Sequence, residues 1–98
     1  MGKVVCEIEV EIKNAAGLHM RPAMQIVDIA SRFKSEISIK NGKTDVNAKS
    51  IMQVTMLAAT CGTKLKILAE GPDAKEAVEG LRKLIEEKMF DEPPPKGK

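Results

Sequence analysis

The spacing of apolar residues changes period several times along the chain, and this feature limits the possible folds more than any other. Apolar and polar residues alternate, as in strands with one solvated face, in four segments: 4–12, 35–40, 43–47 and 63–70. One-sided apolar stripes at helical spacing occupy three others: 20–32, 51–57 and 73–85. The predicted order β, α, β, β, α, β, α indicates a two-layer α+β fold whose helices all cover one face of the sheet.

Proline and serine mark where two of the helices should begin. Pro22 is tolerated in a first helical turn, because the backbone N–H of that turn has no intrahelical partner. We therefore expect the first helix to run from about Met20 to about Arg32, with His19 at or next to its N-cap. Ser50 precedes an apolar cluster and is the expected N-cap of a short second helix.

Turn signals predict how the strands and the last helix are joined. Asn41-Gly42 is typical of a type I′ hairpin, in which both central residues have positive φ. Asp73, followed three residues later by Glu76, resembles a capping box at the start of the last helix. The first strand has outward glutamates and the last strand outward lysines, so we expect these two strands to be neighbours.

Composition argues against several classes of function. With 16 Lys and Arg against 14 Asp and Glu, the net charge is only +2 and offers no basic footprint for nucleic acid. No apolar run approaches the roughly 20 residues that span a bilayer, and acid precedes any apolar region that could act as a secretory signal. One histidine and two distant cysteines, Cys6 and Cys61, do not match a metal-site spacing. We expect a cytoplasmic protein without metal or membrane insertion, with free thiols rather than a Cys6–Cys61 disulfide.

Length and the C-terminal composition predict the domain organisation. The 98 residues are enough for one small domain, which we place at residues 1–90. Residues 91–98 contain three prolines and little to bury, which predicts a disordered tail. The aromatic residues are Phe33 and Phe90 alone, so we expect an aliphatic core.

His19 is the residue to which the sequence assigns the most specific chemistry. Helix N-termini attract anions, and Arg21 adds a guanidinium suited to phosphate oxygens. Free imidazole is largely neutral and nucleophilic at about pH 7, as a transiently phosphorylated histidine requires. A surface or capping role is the plain alternative. A hydrolase is disfavoured, because no nucleophile-elbow or oxyanion pattern accompanies His19.

Two motifs resemble segments of the HPr family, the histidine-containing phosphocarriers of the bacterial phosphoenolpyruvate-dependent phosphotransferase system. They are Gly17-Leu18-His19-Met20-Arg21-Pro22-Ala23 and Val46-Asn47-Ala48-Lys49-Ser50-Ile51-Met52. Shorter matches in the same order extend the resemblance over about residues 3–88. The resemblance implies an open-faced β-sandwich, in which a four-stranded antiparallel sheet carries three helices on one face.

The same resemblance implies roles for three residues. His19 would accept a phosphoryl group from phosphorylated enzyme I on Nδ1 and pass it to an enzyme IIA domain, while Arg21 would steady the phosphohistidine. Ser50 would be phosphorylated by the ATP-dependent HPr kinase/phosphorylase that many, but not all, bacteria have. Such a protein is a monomeric phosphoryl carrier rather than a turnover enzyme, and it uses no cofactor.

An exposed docking surface is expected around His19, because a partner's histidine must reach it. Exposed methionines suit a surface that fits several partners. The candidate contacts are Met20, Met24, Ile51, Met52 and Thr55. Met56 and Leu57 are instead expected to pack in the core.

Several residues near His19 depart from the family's usual pattern. Met20 and Met24 are larger than the residues common there, while Asp28 and Ser31 stand where many members have lysines. A thinner basic rim weakens the expectation of binding a standard acidic enzyme I surface. A regulatory binding module, of the nitrogen-branch or catabolite-control type, therefore remains the alternative function.

Overall fold

The computed structural model describes residues 4–91, and these form an α+β fold with a single sheet. The strands are β1 (Val5–Glu11), β2 (Glu36–Asn41), β3 (Thr44–Asn47) and β4 (Lys64–Glu70). The helices are α1 (Met20–Ala30), α2 (Ile51–Thr55) and α3 (Ala74–Arg82), the last continued by a π-helical turn, Lys83–Glu87, and a 3-10 turn, Met89–Asp91. All strand pairs are antiparallel in the order β1-β4-β2-β3, which confirms the predicted fold class.

The pairing of β1 with β4 confirms the neighbours predicted from outward charges. Glu9 lies opposite Lys66, and the Lys66 ammonium is 3.7 Å from the carboxylate of Glu7. Both side chains of that ion pair are more than half exposed, so it contributes at most about 1 kcal/mol. The register is fixed mainly by the other face, where Val10 and Leu65 lie opposite each other and are buried.

The core is mostly aliphatic but includes one aromatic ring, so the expectation of a purely aliphatic core is wrong. Its fully buried aliphatic members include Val10, Ile12, Ile26, Ile39, Leu65, Ile67, Leu81 and Ile85. Phe90 is also fully buried, whereas Phe33 only packs against the edge of the core. Phe90 reaches the core because Met89, Phe90 and Asp91 all have positive φ (48°, 56° and 58°), which turns the chain back after the last helix.

Of the predicted tail, residues 91–98, the structure describes only Asp91. Asp91 is exposed and closes the 3-10 turn, while residues 92–98 of the predicted tail lie outside the described residues. The side-chain amide of Gln25 on α1 donates to the Phe90 carbonyl at 3.2 Å. This bond ties the last turn to the helix that begins at His19.

The hairpin between β2 and β3 is shifted by one residue from the predicted position. Asn41 pairs with Thr44 and belongs to β2, so Gly42 and Lys43 form the two-residue turn. Gly42 has a φ of 61°, whereas Asn41 is not among the described residues with positive φ. The predicted type I′ turn at Asn41-Gly42 is therefore wrong. Glycine at the first central position is instead what a type II′ turn requires.

The start of α3 also differs from the sequence prediction. Asp73 is the N-cap, but its side chain makes no capping hydrogen bond, so the predicted capping box with Glu76 is wrong. The Asp73 carboxylate instead accepts the backbone N–H groups of Lys34 and Ser35, each at 2.9 Å, and the Ser35 hydroxyl at 2.5 Å. Donors from the loop before β2 thus bind this carboxylate, in place of the Glu76 backbone N–H that a capping box would use.

The described residues have neither a cross-linking disulfide nor a membrane span. Cys6 lies half-buried on β1 and Cys61 is exposed in the loop before β4, and both are free thiols. No helix in this part of the chain is long and apolar enough to cross a bilayer. Residues 4–91 also hold no group of three or more His, Cys, Asp or Glu side chains that could bind a metal ion.

Candidate functional site

His19 occupies the N-cap of α1, as predicted, and is exposed. Its backbone is extended (φ −99°, ψ −166°), and its carbonyl accepts the first helical hydrogen bond from Ala23 N–H at 3.0 Å. Pro22, in the first turn, is buried and lacks an N–H that would otherwise need an acceptor. The imidazole is therefore displayed at the surface, at the positive end of a helix of 11 residues.

The loop that enters this helix is held against a second loop. Leu18 N–H donates to the Ala59 carbonyl at 2.9 Å, and the Leu18 side chain is buried. Gly17 has a φ of 74°, and a Cβ there would lie 2.8 Å from the Ala59 carbonyl oxygen. Two reasons therefore favour glycine at this position. Residues with a side chain rarely adopt this φ, and their Cβ would also collide with the second loop.

The first turn of α1 has the electrostatic character of an anion site. It contains no acidic residue, and its leading N–H groups belong to Met20 and Arg21. Arg21 is exposed on the same turn, so its guanidinium shares the surface with His19. The structure brings His19, Met20, Arg21 and Met24 together around one shallow hollow, whose far side is lined by Gln25 and by Asp28, the partner of Arg32. Such an arrangement can hold the oxygens of a group attached to the imidazole.

Exposed methionines line this hollow on α1, and another lies on α2, the helix that packs against α1. Met20 and Met24 are each 58% exposed, and Met52 is 77% exposed. The other two predicted contacts, Ile51 and Thr55, are half-buried. These side chains leave apolar surface exposed on both helices.

One methionine of α2 was misassigned by the sequence. Met56 is 67% exposed, so its predicted place in the core is wrong, whereas Leu57 is buried as predicted. The helix ends at Thr55, and Met56 follows Met52 by one helical turn on the outer side. The inner positions are filled by Val54 and Leu57. Met56 therefore extends the exposed apolar surface that Met20, Met24 and Met52 form.

Ser50 is the N-cap of α2, as predicted. Its hydroxyl oxygen accepts the Gln53 N–H at 3.4 Å, a long and therefore weak capping bond. The residue is half-buried, and its own N–H donates to the Asn47 carbonyl at 3.0 Å. The hydroxyl thus lies at the surface of a helix that also presents Met52.

Comparison with known proteins places this geometry in a family. The family model for the phosphorylation site of the PTS HPr component matches residues 6–87. The chain belongs to the HPr family. This confirms the resemblance inferred from the two sequence motifs and makes the protein a member of a phosphocarrier family of the phosphotransferase system.

Relatives within the HPr family cover most of the chain. The phosphocarrier protein HPr of Treponema pallidum is 45% identical over 83 residues, which cover 85% of this chain and 94% of that protein. The HPr-like protein Crh of Halalkalibacterium halodurans is 45% identical over 80 residues, or 82% of this chain and 95% of the relative. The crystal structure of HPr-C-His from Thermoanaerobacter tengcongensis has a TM-score of 0.85 at 44% identity, covering 90% of this chain and 98% of that chain.

A buried amide behind the HPr loop was not singled out by the sequence. Asn14 is fully buried, and its side-chain Nδ2 donates to the Gly17 carbonyl at 2.8 Å. In the sequence, Asn14 falls between the alternating segment 4–12 and the helical stripe 20–32, in a stretch that follows neither pattern. No periodic signal could distinguish this asparagine from a solvated loop residue, because its burial depends on chain segments distant in sequence.

Proposed function

We propose that this chain carries a phosphoryl group on His19, which it accepts from phosphorylated enzyme I and donates to an enzyme IIA domain. The single observation that carries the proposal is the exposed imidazole at the N-terminus of α1, beside Arg21 and within the matched family region. In the first step the P–N bond of the donor's phosphohistidine breaks, and a P–N bond to His19 Nδ1 forms. In the second step that bond breaks as the acceptor takes the phosphoryl group.

The chain's contribution to such transfer is positioning and charge neutralisation, since the P–N bond already has a good leaving group. The N–H groups of Met20 and Arg21 and the Arg21 guanidinium are suited to the negatively charged phosphoryl oxygens. No acidic residue in the first turn opposes that charge. The protein is accordingly a carrier that is itself phosphorylated, not a turnover enzyme.

Partner docking is assigned to the exposed apolar surface beside His19. Met20, Met24 and Met52 would contact enzyme I and enzyme IIA domains, joined by the half-buried Ile51 and Thr55. Unbranched thioether side chains adapt to differently shaped partners, as a carrier that meets at least two proteins requires. Transfer between histidines needs close approach, which an exposed site at the mouth of a shallow hollow permits.

The proposal is tested by phosphorylation in a reconstituted system. Incubation with phosphoenolpyruvate and enzyme I from the same cell should produce an acid-labile phosphate on the wild-type chain. His19→Ala should abolish it, because His19 is the only histidine in the sequence. Ser50→Ala is the matched control and should keep the acid-labile label. Absence of labelling on the wild-type chain, or retention in His19→Ala, would refute the proposal.

A regulatory binding module is the second candidate, favoured by the match to Crh of Halalkalibacterium halodurans at the same 45% identity as an HPr. In that case phosphorylation of Ser50 by an HPr kinase/phosphorylase, or of His19, would control a partner protein. Binding that survives His19→Ala and changes with Ser50→Asp would favour this function. Binding and transfer that both depend on His19 would favour the carrier.

A further inference from the structure

The backbone leading into His19 is held by a buried side chain that cannot itself touch a partner. Asn14 is fully buried, and its Nδ2 donates to the Gly17 carbonyl at 2.8 Å. In return the Gly17 N–H donates to the Asn14 carbonyl at 3.2 Å. The two residues thereby close a small ring of hydrogen bonds beneath the loop.

The same Gly17 carbonyl is also the acceptor for His19. His19 N–H donates to it at 3.2 Å, so one oxygen receives both the Asn14 amide and the His19 backbone. The direction of that carbonyl sets the direction of the next peptide units. A change in its orientation would therefore move the Cα of His19 relative to the helix N-terminus.

We infer that Asn14 is a positioning residue for phosphoryl transfer, holding the Gly17 carbonyl so that the backbone of His19 stays fixed at the N-terminus of α1. The inference rests on the proposed carrier function. Asn14 makes no contact with the phosphoryl group, because its side chain is buried beneath the loop. Its effect should therefore appear in the transfer step and not in docking, since small misplacements of a reacting group greatly slow a reaction.

Removing the Asn14 side-chain amide should change the maximal rate of transfer but not the KM. We expect Asn14→Ala to lower the maximal rate of transfer from phosphorylated enzyme I by about tenfold or more, while leaving the KM for the chain nearly unchanged. Ser35→Ala is the matched control. Ser35 is also fully buried and also loses one side-chain hydrogen bond, but it lies just before β2, where its hydroxyl donates to Asp73 at the start of α3. It should transfer at the wild-type rate.

A second measurement reports the backbone directly and needs no partner. Amide hydrogen exchange by NMR should be faster for His19 N–H in Asn14→Ala than in the wild type, and unchanged at that site in Ser35→Ala. Asn14→Asp keeps the shape of the side chain but replaces the donating Nδ2 with an acceptor oxygen, and it is measured in both assays if the alanine variant does not fold. It should show the same two defects.

The outcomes separate this inference from the function on which it rests. If enzyme I does not phosphorylate the wild-type chain, the carrier function is refuted and the positioning role falls with it. If the wild-type chain is phosphorylated while the Asn14 variants transfer at its rate, only the positioning role is refuted. Unchanged exchange of His19 N–H in these variants would also overturn it. A defect of equal size in Ser35→Ala would show that lost stability alone explains the effect.

Discussion

His19 and Arg21 illustrate how much of the site is fixed within a few residues of sequence. The two side chains lie on the same first turn of α1, one at its N-cap and one at its second helical position. Their proximity follows from local helix geometry and needs no tertiary contact. The sequence could therefore place them together correctly.

Arg21 should contribute charge neutralisation that Arg32, which follows α1, does not supply. We expect Arg21→Ala to lower the rate of His19 phosphorylation by enzyme I about tenfold, which corresponds to ~1.4 kcal/mol of barrier. Arg32→Ala is the control, since Arg32 follows α1 and pairs with Asp28 at 2.8 Å. Single-turnover labelling measures the rate of His19 phosphorylation in both variants. Equal rates for the two variants would contradict a specific role of Arg21.

Asp73 and Met56 show where residue-level reasoning failed. Asp73 and Glu76 have the spacing of a capping box, but stronger tertiary donors from Lys34 and Ser35 occupy the carboxylate. Met56 lies in an apolar cluster typical of core, but it follows the exposed Met52 by one helical turn and therefore faces outward. Local patterns give residue type and spacing, whereas these outcomes depend on which distant segments come close.

At the scale of single elements, α2 combines a weak cap with an exposed apolar face. It has only five residues, and its cap bond from Gln53 N–H to Ser50 is 3.4 Å long. A short helix gains most of its stability from packing rather than from its termini. Here Val54 is the fully buried anchor, while Met52 faces outward.

Ser50 should matter more for its position beside the proposed docking surface than for stability. Ser50→Ala should lower the free energy of unfolding by only about 0.5 kcal/mol, the low end for a lost N-cap, measured by urea denaturation. Ser50→Asp can keep the cap but adds negative charge near Met52, so we expect a raised KM for enzyme I. Ser38→Asp, on the open face of the sheet, is the control. If it raises the KM as much, the effect is one of net charge alone.

The start of α3 is tied to the loop before β2 through a single ionised side chain. The Asp73 carboxylate accepts bonds from the Ser35 hydroxyl and from the Lys34 and Ser35 N–H groups. The Ser35 hydroxyl has the largest effect, and together the donors hold the pKa of Asp73 below its ordinary value of 3.8. They thereby link the loop before β2 to the beginning of α3.

This link predicts a pH dependence of a stated sign. A lowered pKa in the folded state stabilises the fold above the ordinary pKa of 3.8, and this contribution is lost as the pH falls through the folded-state value. Asp73→Asn should therefore unfold at lower urea concentration than the wild type at neutral pH, and the difference should shrink below about pH 4. Glu76→Gln is the control and should lose less. A difference that is constant with pH would contradict the charge dependence.

At the scale of the whole molecule, the last described residues close the core against α1. Phe90 is fully buried, although it follows the last helix in a turn with positive φ. Its carbonyl accepts the Gln25 amide from α1 at 3.2 Å. The helix that presents His19 is thus braced at one side by the C-terminal turn and at its N-terminus by the loop around Ala59.

Removing the buried Phe90 ring tests whether the C-terminal turn closes the core. Phe90→Ala should lower the free energy of unfolding by about 3–5 kcal/mol, because the deleted ring leaves a cavity in a packed core. Equilibrium urea unfolding followed by circular dichroism measures the loss. Phe33→Ala should cost less, since Phe33 is only half-buried. Equal costs would indicate that the C-terminal turn does not close the core.

The sequence by itself determined the element order, the sheet face covered by helices, the β1–β4 pairing and the start of α1 at Met20, with His19 as its N-cap. These follow from short-range physics, namely the periods of two and about 3.6 residues and the special backbones of proline and glycine. Only the tertiary structure decided the burial of Phe90 and Asn14, the partners of Asp73 and the exposure of Met56. Those outcomes depend on contacts between segments far apart in the chain, such as Gly17 with Ala59, for which no local period exists.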